Sequence, residues 1–167
     1  MGRIMNELIN LLAPAIRWGM PFAIVALIVC LIRKYERRKT TFWTLLLAYG
    51  GALIGETVLS GHKYALSSYQ LVPFNSLMSG LSWRTVLLQL VLNIVLFIPL
   101  GVFLYIGKRK LAISVIIGFG VSLAIEIIEY ITKTGVFDVD DLIMNTLGTL
   151  IGFVICSLSP IGKTNRR

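Results

Sequence analysis

Three acidic residues lie inside long apolar stretches of this sequence, and they are Glu56, Glu126 and Glu129. The stretches are long enough to cross a membrane as helices. An ionised side chain at the bilayer centre costs about 2.5–3.5 kcal/mol even on the mildest scale, so such residues usually face a bundle interior or a wet cavity. Glu56 and Glu126 are the hardest of the three to explain by structure alone, and we expect them to serve a binding or catalytic function.

Helical spacing places further polar and small residues on the same faces. Gly118, Ser122, Glu126 and Glu129 share one face of the fourth apolar stretch, and Asp141, Asn145, Gly148 and Gly152 share one face of the fifth. The two stretches are antiparallel because a short loop joins them. We therefore expect their carboxylates to meet at the loop end, and Gly118 to approach Gly152 at the other end, where small residues permit close packing.

This arrangement predicts an outward-facing polar pocket, about one to two helical turns below the membrane surface. The predicted ligand-binding residues are Glu56, Asn93, Ser122, Glu126, Glu129, Asp138, Asp140, Asp141 and Asn145. A cationic or hydroxyl-rich group would suit the pocket, as would a phosphate bridged by a divalent cation. Asp138, Asp140 and Asp141 are candidate ligands for Mg²⁺ or Mn²⁺, since hard cations prefer oxygen. Glu126 and Asp141 are the candidates for a general base.

Several of these residues also have a purely structural interpretation. Asp140 would serve equally well as the N-cap of the fifth helix. Asn93 and Asn145 would serve as interhelical hydrogen-bonding groups. Glu129 lies near a helix end and could reach the membrane interface unaided. The sequence leaves these alternatives open.

The elements that position these residues follow from composition. Of 167 residues, 56% are hydrophobic and 14% are charged, whereas about 25% are charged in soluble domains. Five apolar stretches cover Leu8–Ile32, Phe42–Leu59, Val86–Ile106, Leu111–Ile131 and Leu142–Leu158. Each approaches the ~20 residues that a membrane-crossing helix needs. We predict an all-α integral membrane bundle of about five transmembrane helices, formed as a single domain over residues 1–167; residues 1–17 either span the membrane or lie on it.

Orientation follows from the basic residues. Three clusters occupy residues 33–39, 108–110 and 163–167, and two of the five predicted crossings separate each cluster from the next, which places all three on one side. The positive-inside rule makes that side cytoplasmic, so the N-terminus is predicted outside and the C-terminus inside. The net charge of +8 then reflects topology and attraction to anionic lipid, and we expect no nucleic-acid partner.

Four motifs carry a resemblance to a known family. Residues 71–75 are Leu-Val-Pro-Phe-Asn, residues 93–101 are Asn-Ile-Val-Leu-Phe-Ile-Pro-Leu-Gly, residues 122–126 are Ser-Leu-Ala-Ile-Glu, and residues 137–148 are Phe-Asp-Val-Asp-Asp-Leu-Ile-Met-Asn-Thr-Leu-Gly. In this order they resemble the VanZ-like family of bacterial membrane proteins, most clearly over residues 71–153. Two features depart from the family. Glu129 stands where members often have Gln. The Arg that many members carry before the Phe-Asp pair has no counterpart, and Lys133 is the nearest cation.

The resemblance implies a multi-pass protein of the bacterial plasma membrane. The namesake of the family lowers susceptibility to teicoplanin, a glycopeptide antibiotic with a lipid tail. The implied partners are membrane lipids, a cell-wall lipid precursor or the lipoglycopeptide itself. The alternative is a membrane enzyme that modifies a lipid or lipid-linked precursor with its buried carboxylates. A proton- or ion-coupled transporter is less favoured, because the sequence has five short helices and no inverted repeat.

Overall fold

The computed structural model describes residue 24 and residues 37–55, 68–75 and 83–159. The chain divides into two compact units, Met1–Tyr64 and Ala65–Arg167. The first unit contains helix α1, Arg37–Ile54, whose apolar part from Thr40 is shorter than a full membrane span. Most of the first predicted segment lies outside the described residues, as does Glu56. The five-helix count, the single domain and the orientation therefore stay predictions.

The second unit is built on three long helices. They are α2, Trp83–Ile106, α3, Leu111–Thr132, and α4, Val139–Leu158. Each is long and apolar enough to cross a membrane. They confirm three of the predicted segments, with ends that differ from the prediction by at most a turn. The turn between α2 and α3 holds Lys108, Arg109 and Lys110, so these cations lie at the opposite end of α3 from the turn into α4.

Two short strands interrupt the helical pattern, and the sequence did not predict them. β1, Ser68–Gln70, pairs in parallel with β2, Val136–Asp138, and Tyr69 lies opposite Phe137. β2 occupies the turn between α3 and α4. The pairing therefore holds the segment before α2 against the beginning of α4.

Close helix packing depends on glycines of α4 and on one of α2. Gly148 and Gly152 lie directly against the backbone carbonyls of Ile94 and Ile98 on α2, and a Cβ at either glycine would overlap these atoms. Gly101 of α2 lies equally close to the α4 backbone at Thr149. Since α4 packs more extensively against α2 than against α3, this glycine contact forms the main helix interface of the unit.

The predicted approach of Gly118 to Gly152 is wrong. Gly118 of α3 instead lies against the side chain of Thr149, and Gly152 faces α2. The reason is that α4 carries two different stripes of residues at four-residue spacing, one polar and one of glycines. Asn145 and Thr149 form the stripe that faces α3, whereas the glycine stripe faces α2.

Alanine substitutions at Gly152 and at Gly120 distinguish the contribution of close helix packing to stability from that of helix propensity. Gly152→Ala inserts a Cβ into the Ile98 backbone, so we expect it to lower the free energy of unfolding by about 1–3 kcal/mol. Gly120→Ala is the matched control, because no heavy atom of the described residues lies within 4 Å of its added Cβ. It should raise stability by up to about 1 kcal/mol through helix propensity. Unfolding by sodium dodecyl sulphate in mixed micelles measures both, and equal effects would contradict the packing described.

Candidate functional site

Glu126 joins α3 to the turn that precedes α4. Its side chain is only 2% exposed. One carboxylate oxygen, Oε2, accepts a hydrogen bond from the backbone N–H of Asp138 at 2.8 Å. A buried backbone N–H without a partner is costly, and this carboxylate removes that cost. Glu126 therefore fixes the position at which the chain enters α4.

Asp138 is the N-cap of α4. Its Oδ1 accepts a hydrogen bond from the Asp140 backbone N–H at 2.8 Å, and its Oδ2 accepts one from Gln70 Nε2 at 3.2 Å. Burial raises the pKa of the Asp138 carboxyl, and the hydrogen bond from Asp140 opposes that rise. The capping function that the sequence allowed for Asp140 thus belongs to Asp138, since the helix begins two residues earlier than Asp141.

Asp140 forms a hydrogen bond to the segment that precedes α2. It is 1% exposed, and its Oδ1 accepts a hydrogen bond from the backbone N–H of Phe74 at 2.7 Å. Together with the β1–β2 pairing and the Gln70 contact, this bond fastens residues 68–75, which we call the strap, to the start of α4. The strap turns outward its apolar side chains, which are Tyr69, Leu71, Val72 and Phe74.

Asp141 connects α4 to α2, because its Oδ1 accepts a hydrogen bond from Asn93 Nδ2. Glu129 lies one turn beyond Glu126 on α3, and its carboxylate packs against Gly135 so closely that a Cβ there would overlap it. The carboxylates of Glu126, Glu129 and Asp141 are near enough to repel one another. Within the described part of the chain, none of these three carboxylates has an ion-pair partner. We call these three residues the acidic cluster.

A neutral polar pair lies one helical turn further into the bundle. Asn145 Nδ2 donates a hydrogen bond to Ser122 Oγ at 2.9 Å, and both side chains are buried. The amide oxygen, Asn145 Oδ1, is buried and has no hydrogen-bond partner among the described residues. Below it, the Thr149 hydroxyl donates to the Asn145 carbonyl at 3.2 Å. The Asn145 amide is therefore hydrogen-bonded through its nitrogen, and its oxygen remains without a donor among the described residues.

Eight of the nine predicted ligand-binding residues lie in this region; the ninth, Glu56, lies outside the described residues. Their function as a ligand site stays a prediction. The sequence reasoning missed Gln70, the Phe74 backbone N–H and Gly135. Only the Leu-Val-Pro-Phe-Asn motif signalled that this part of the strap mattered, and it gave no indication of the contact that Phe74 makes.

Several of the carboxylates that were predicted to act in catalysis or metal binding already accept hydrogen bonds from the protein. Asp138 and Asp140 accept N–H groups from the chain itself, and so does Glu126. Over residues 37–55, 68–75 and 83–159, no group of three acidic, histidine or cysteine side chains is arranged around a common metal position. A bound Mg²⁺ or Mn²⁺ and a general base at Glu126 or Asp141 both stay predictions.

Comparison with known proteins identifies relatives. A model of the VanZ/LLP1 family matches residues 41–160. Protein VanZ of Enterococcus faecium is 31% identical over 104 residues, which cover 61% of this chain and 60% of that protein. The matched region therefore spans less than two thirds of this relative's length. No solved structure matches the chain.

Two substitutions of Glu126 distinguish the contribution of its hydrogen bond to stability from the effect of its charge. Glu126→Ala leaves the Asp138 N–H buried without a partner, so we expect a loss of about 1–3 kcal/mol in the free energy of unfolding. Glu126→Gln keeps an acceptor oxygen and removes a charge that Asp141 and Glu129 repel, so it should be markedly less destabilising. Unfolding in mixed micelles measures both variants. Equal losses would show that the charge, and not the hydrogen bond, carries the structural effect.

Proposed function

The chain belongs to the VanZ/LLP1 family, and from this premise we propose that it lowers bacterial susceptibility to glycopeptide antibiotics of the teicoplanin type. The proposed mechanism is binding at an outward-facing acidic site. The bound group belongs to an outer-leaflet lipid, a lipid-linked cell-wall precursor or the antibiotic. The site comprises the acidic cluster with Asn93, Ser122 and Asn145, and the protein acts in the bacterial plasma membrane.

The observation that carries this proposal is the acidic cluster itself. Glu126 and Glu129 come from α3 and Asp141 from α4, yet their carboxylates are near enough to repel one another and have no ion-pair partner among the described residues. Membrane proteins seldom keep ionisable groups within their spans unless those groups serve function. Structure alone would be served as well by neutral acceptors, and the surplus of acceptors therefore favours a ligand.

The distribution of charge supports an outward orientation. Lys108, Arg109 and Lys110 lie at one end of α3, and the acidic cluster lies near the other end. Because basic loops remain cytoplasmic, the end that carries the cluster is expected to face outward. An acidic site there would be accessible to molecules of the outer leaflet.

Aromatic side chains support a site at the depth of lipid headgroups. Trp83 begins α2 and is 63% exposed, and the Arg84 guanidinium lies 5.4 Å from the centre of its ring. Tyr69 and Phe74 of the strap are also exposed. Tryptophan and tyrosine are enriched where membrane meets water. Exposed apolar residues beside the acidic cluster would suit an amphiphile, whose tail stays in the bilayer while its polar group enters the site.

The proposal is tested by antibiotic susceptibility of a teicoplanin-susceptible Gram-positive host that expresses the chain. We expect the native chain to raise the minimal inhibitory concentration of teicoplanin. A Glu126→Gln/Asp141→Asn double variant removes two charges and retains side chains of similar shape, so protection should fall to the level of the empty vector. Immunoblotting of membranes must show equal abundance of the two proteins.

Glu36→Gln is the matched control, because it removes an acidic charge from the predicted cytoplasmic loop. It should leave protection unchanged. Full protection by the double variant at normal abundance would refute the proposed site. Absence of protection by the native chain would refute the proposed function as a whole.

A further inference from the structure

Two carboxylates of the acidic cluster are each half engaged by the protein. Oε2 of Glu126 accepts a hydrogen bond from the Asp138 backbone N–H, and Oδ1 of Asp141 accepts one from the Asn93 side-chain amide. The second oxygen of each receives no hydrogen bond from the described part of the chain. The protein thus orients both groups and leaves one acceptor on each for another donor.

A third acceptor, the neutral amide oxygen of Asn145, lies one helical turn deeper than Asp141 on α4. Asn145 is only 5% exposed, and its Oδ1 receives no hydrogen bond from residues 37–55, 68–75 and 83–159. Its Nδ2 is committed to Ser122, so the amide is held in place while its oxygen remains unsatisfied. Buried side-chain acceptors are nearly always paired, and this one therefore indicates a donor that the described part of the chain does not supply.

Packing determines the side from which that donor arrives. Towards the other end of α4, Thr149 is fully buried and lies in close contact with Gly118 and Gly101. The described residues are therefore closely packed on that side. Asp141 lies one turn away on the opposite side of Asn145, and both Asp141 and Glu129 are only partly buried. Asp141 and Glu129 are therefore the more accessible of these side chains, and Glu126 and Asn145 are the more deeply buried.

From this arrangement we propose that the site binds a primary ammonium group, an inference that rests on the proposed binding function and names its ligand class. An –NH₃⁺ group has three N–H donors and no acceptor. The three matching acceptors are Glu126 Oε1, Asp141 Oδ2 and Asn145 Oδ1. The carboxylates supply the opposite charge, which makes these hydrogen bonds short and strong.

The same chemistry excludes a quaternary ammonium as the preferred ligand. A trimethylammonium group has no N–H donor and is recognised by aromatic cages, whereas the side chains gathered here are acceptors. A primary ammonium can come from an aminolipid headgroup in the outer leaflet or from a soluble amine. Both sources present the same group to the site, and only the lipid-borne one also offers an acyl chain to the exposed apolar surface.

The test uses the purified full chain in micelles of an uncharged detergent, with two amphiphiles that differ only in their headgroup. We expect decylammonium to bind saturably and at least ten-fold more tightly than decyltrimethylammonium in calorimetric titration. Asp141→Asn and Glu126→Gln should each weaken decylammonium binding by about ten-fold or more, since each removes a charged acceptor. Ser157→Ala, near the far end of α4, is the control and should not change it.

Two further probes identify the source of the group and the competing ligand. Phosphatidylethanolamine in phosphatidylcholine nanodiscs should compete with decylammonium, whereas ethanolamine in solution should compete only at far higher concentration. Equal competition by ethanolamine would overturn the lipid-borne source. Competition by Mg²⁺ at lower concentration than the amine would overturn the ligand class in favour of a divalent cation.

Equal affinity of the native chain for the two amphiphiles would overturn the inference. Decylammonium binding that neither carboxylate variant weakens would also overturn it. Failure here is distinguishable from failure of the proposed function. If the double variant loses antibiotic protection while the native chain does not prefer decylammonium, only the ligand class is wrong. If the native chain gives no protection yet binds decylammonium selectively, the ligand class stands and the proposed function is wrong.

Discussion

The hydrogen bond from the Asp138 backbone N–H to the Glu126 carboxylate is the contact on which the rest of this structure depends. Within a membrane, a backbone group that leaves the helical pattern must find a partner inside the protein. Here the chain leaves α3, forms a three-residue strand and begins α4. The Glu126 carboxylate accepts the hydrogen bond of the N–H that has no helical partner at that point.

The other polar contacts follow from this fixed turn. Asp138 caps α4, and its position sets Asp140 against the strap and Asp141 against Asn93 of α2. The glycine contact between α2 and α4 brings these two helices close enough for the last of these bonds. Glycine packing between α2 and α4 and the polar contacts at the start of α4 therefore depend on each other. Among the described residues, Glu126, Glu129 and Asp141 have no ion-pair partner.

The sequence predicted the helices of the second unit and the meeting of their polar faces, because hydrophobic length and 3.6-residue spacing are local properties. It did not predict the parallel pairing of β1 with β2, since Gln70 and Asp138 are 68 positions apart and neither strand is long enough to show a pattern. The choice of Asp138 over Asp140 as the cap was also beyond it. Both residues have suitable side chains, and only the tertiary contacts with Glu126 and Phe74 decide between them.

The central claim is that the acidic cluster lies at the outer end of the membrane spans, and side-specific labelling of single cysteines tests it most directly. In a cysteine-free background, Thr134→Cys lies in the turn beside the cluster and Lys110→Cys lies at the opposite end of α3. With a membrane-impermeant maleimide on intact cells, the account predicts labelling of Thr134→Cys alone, and labelling of Lys110→Cys only after permeabilisation. The reverse pattern would place the cluster in the cytoplasmic half and contradict the account.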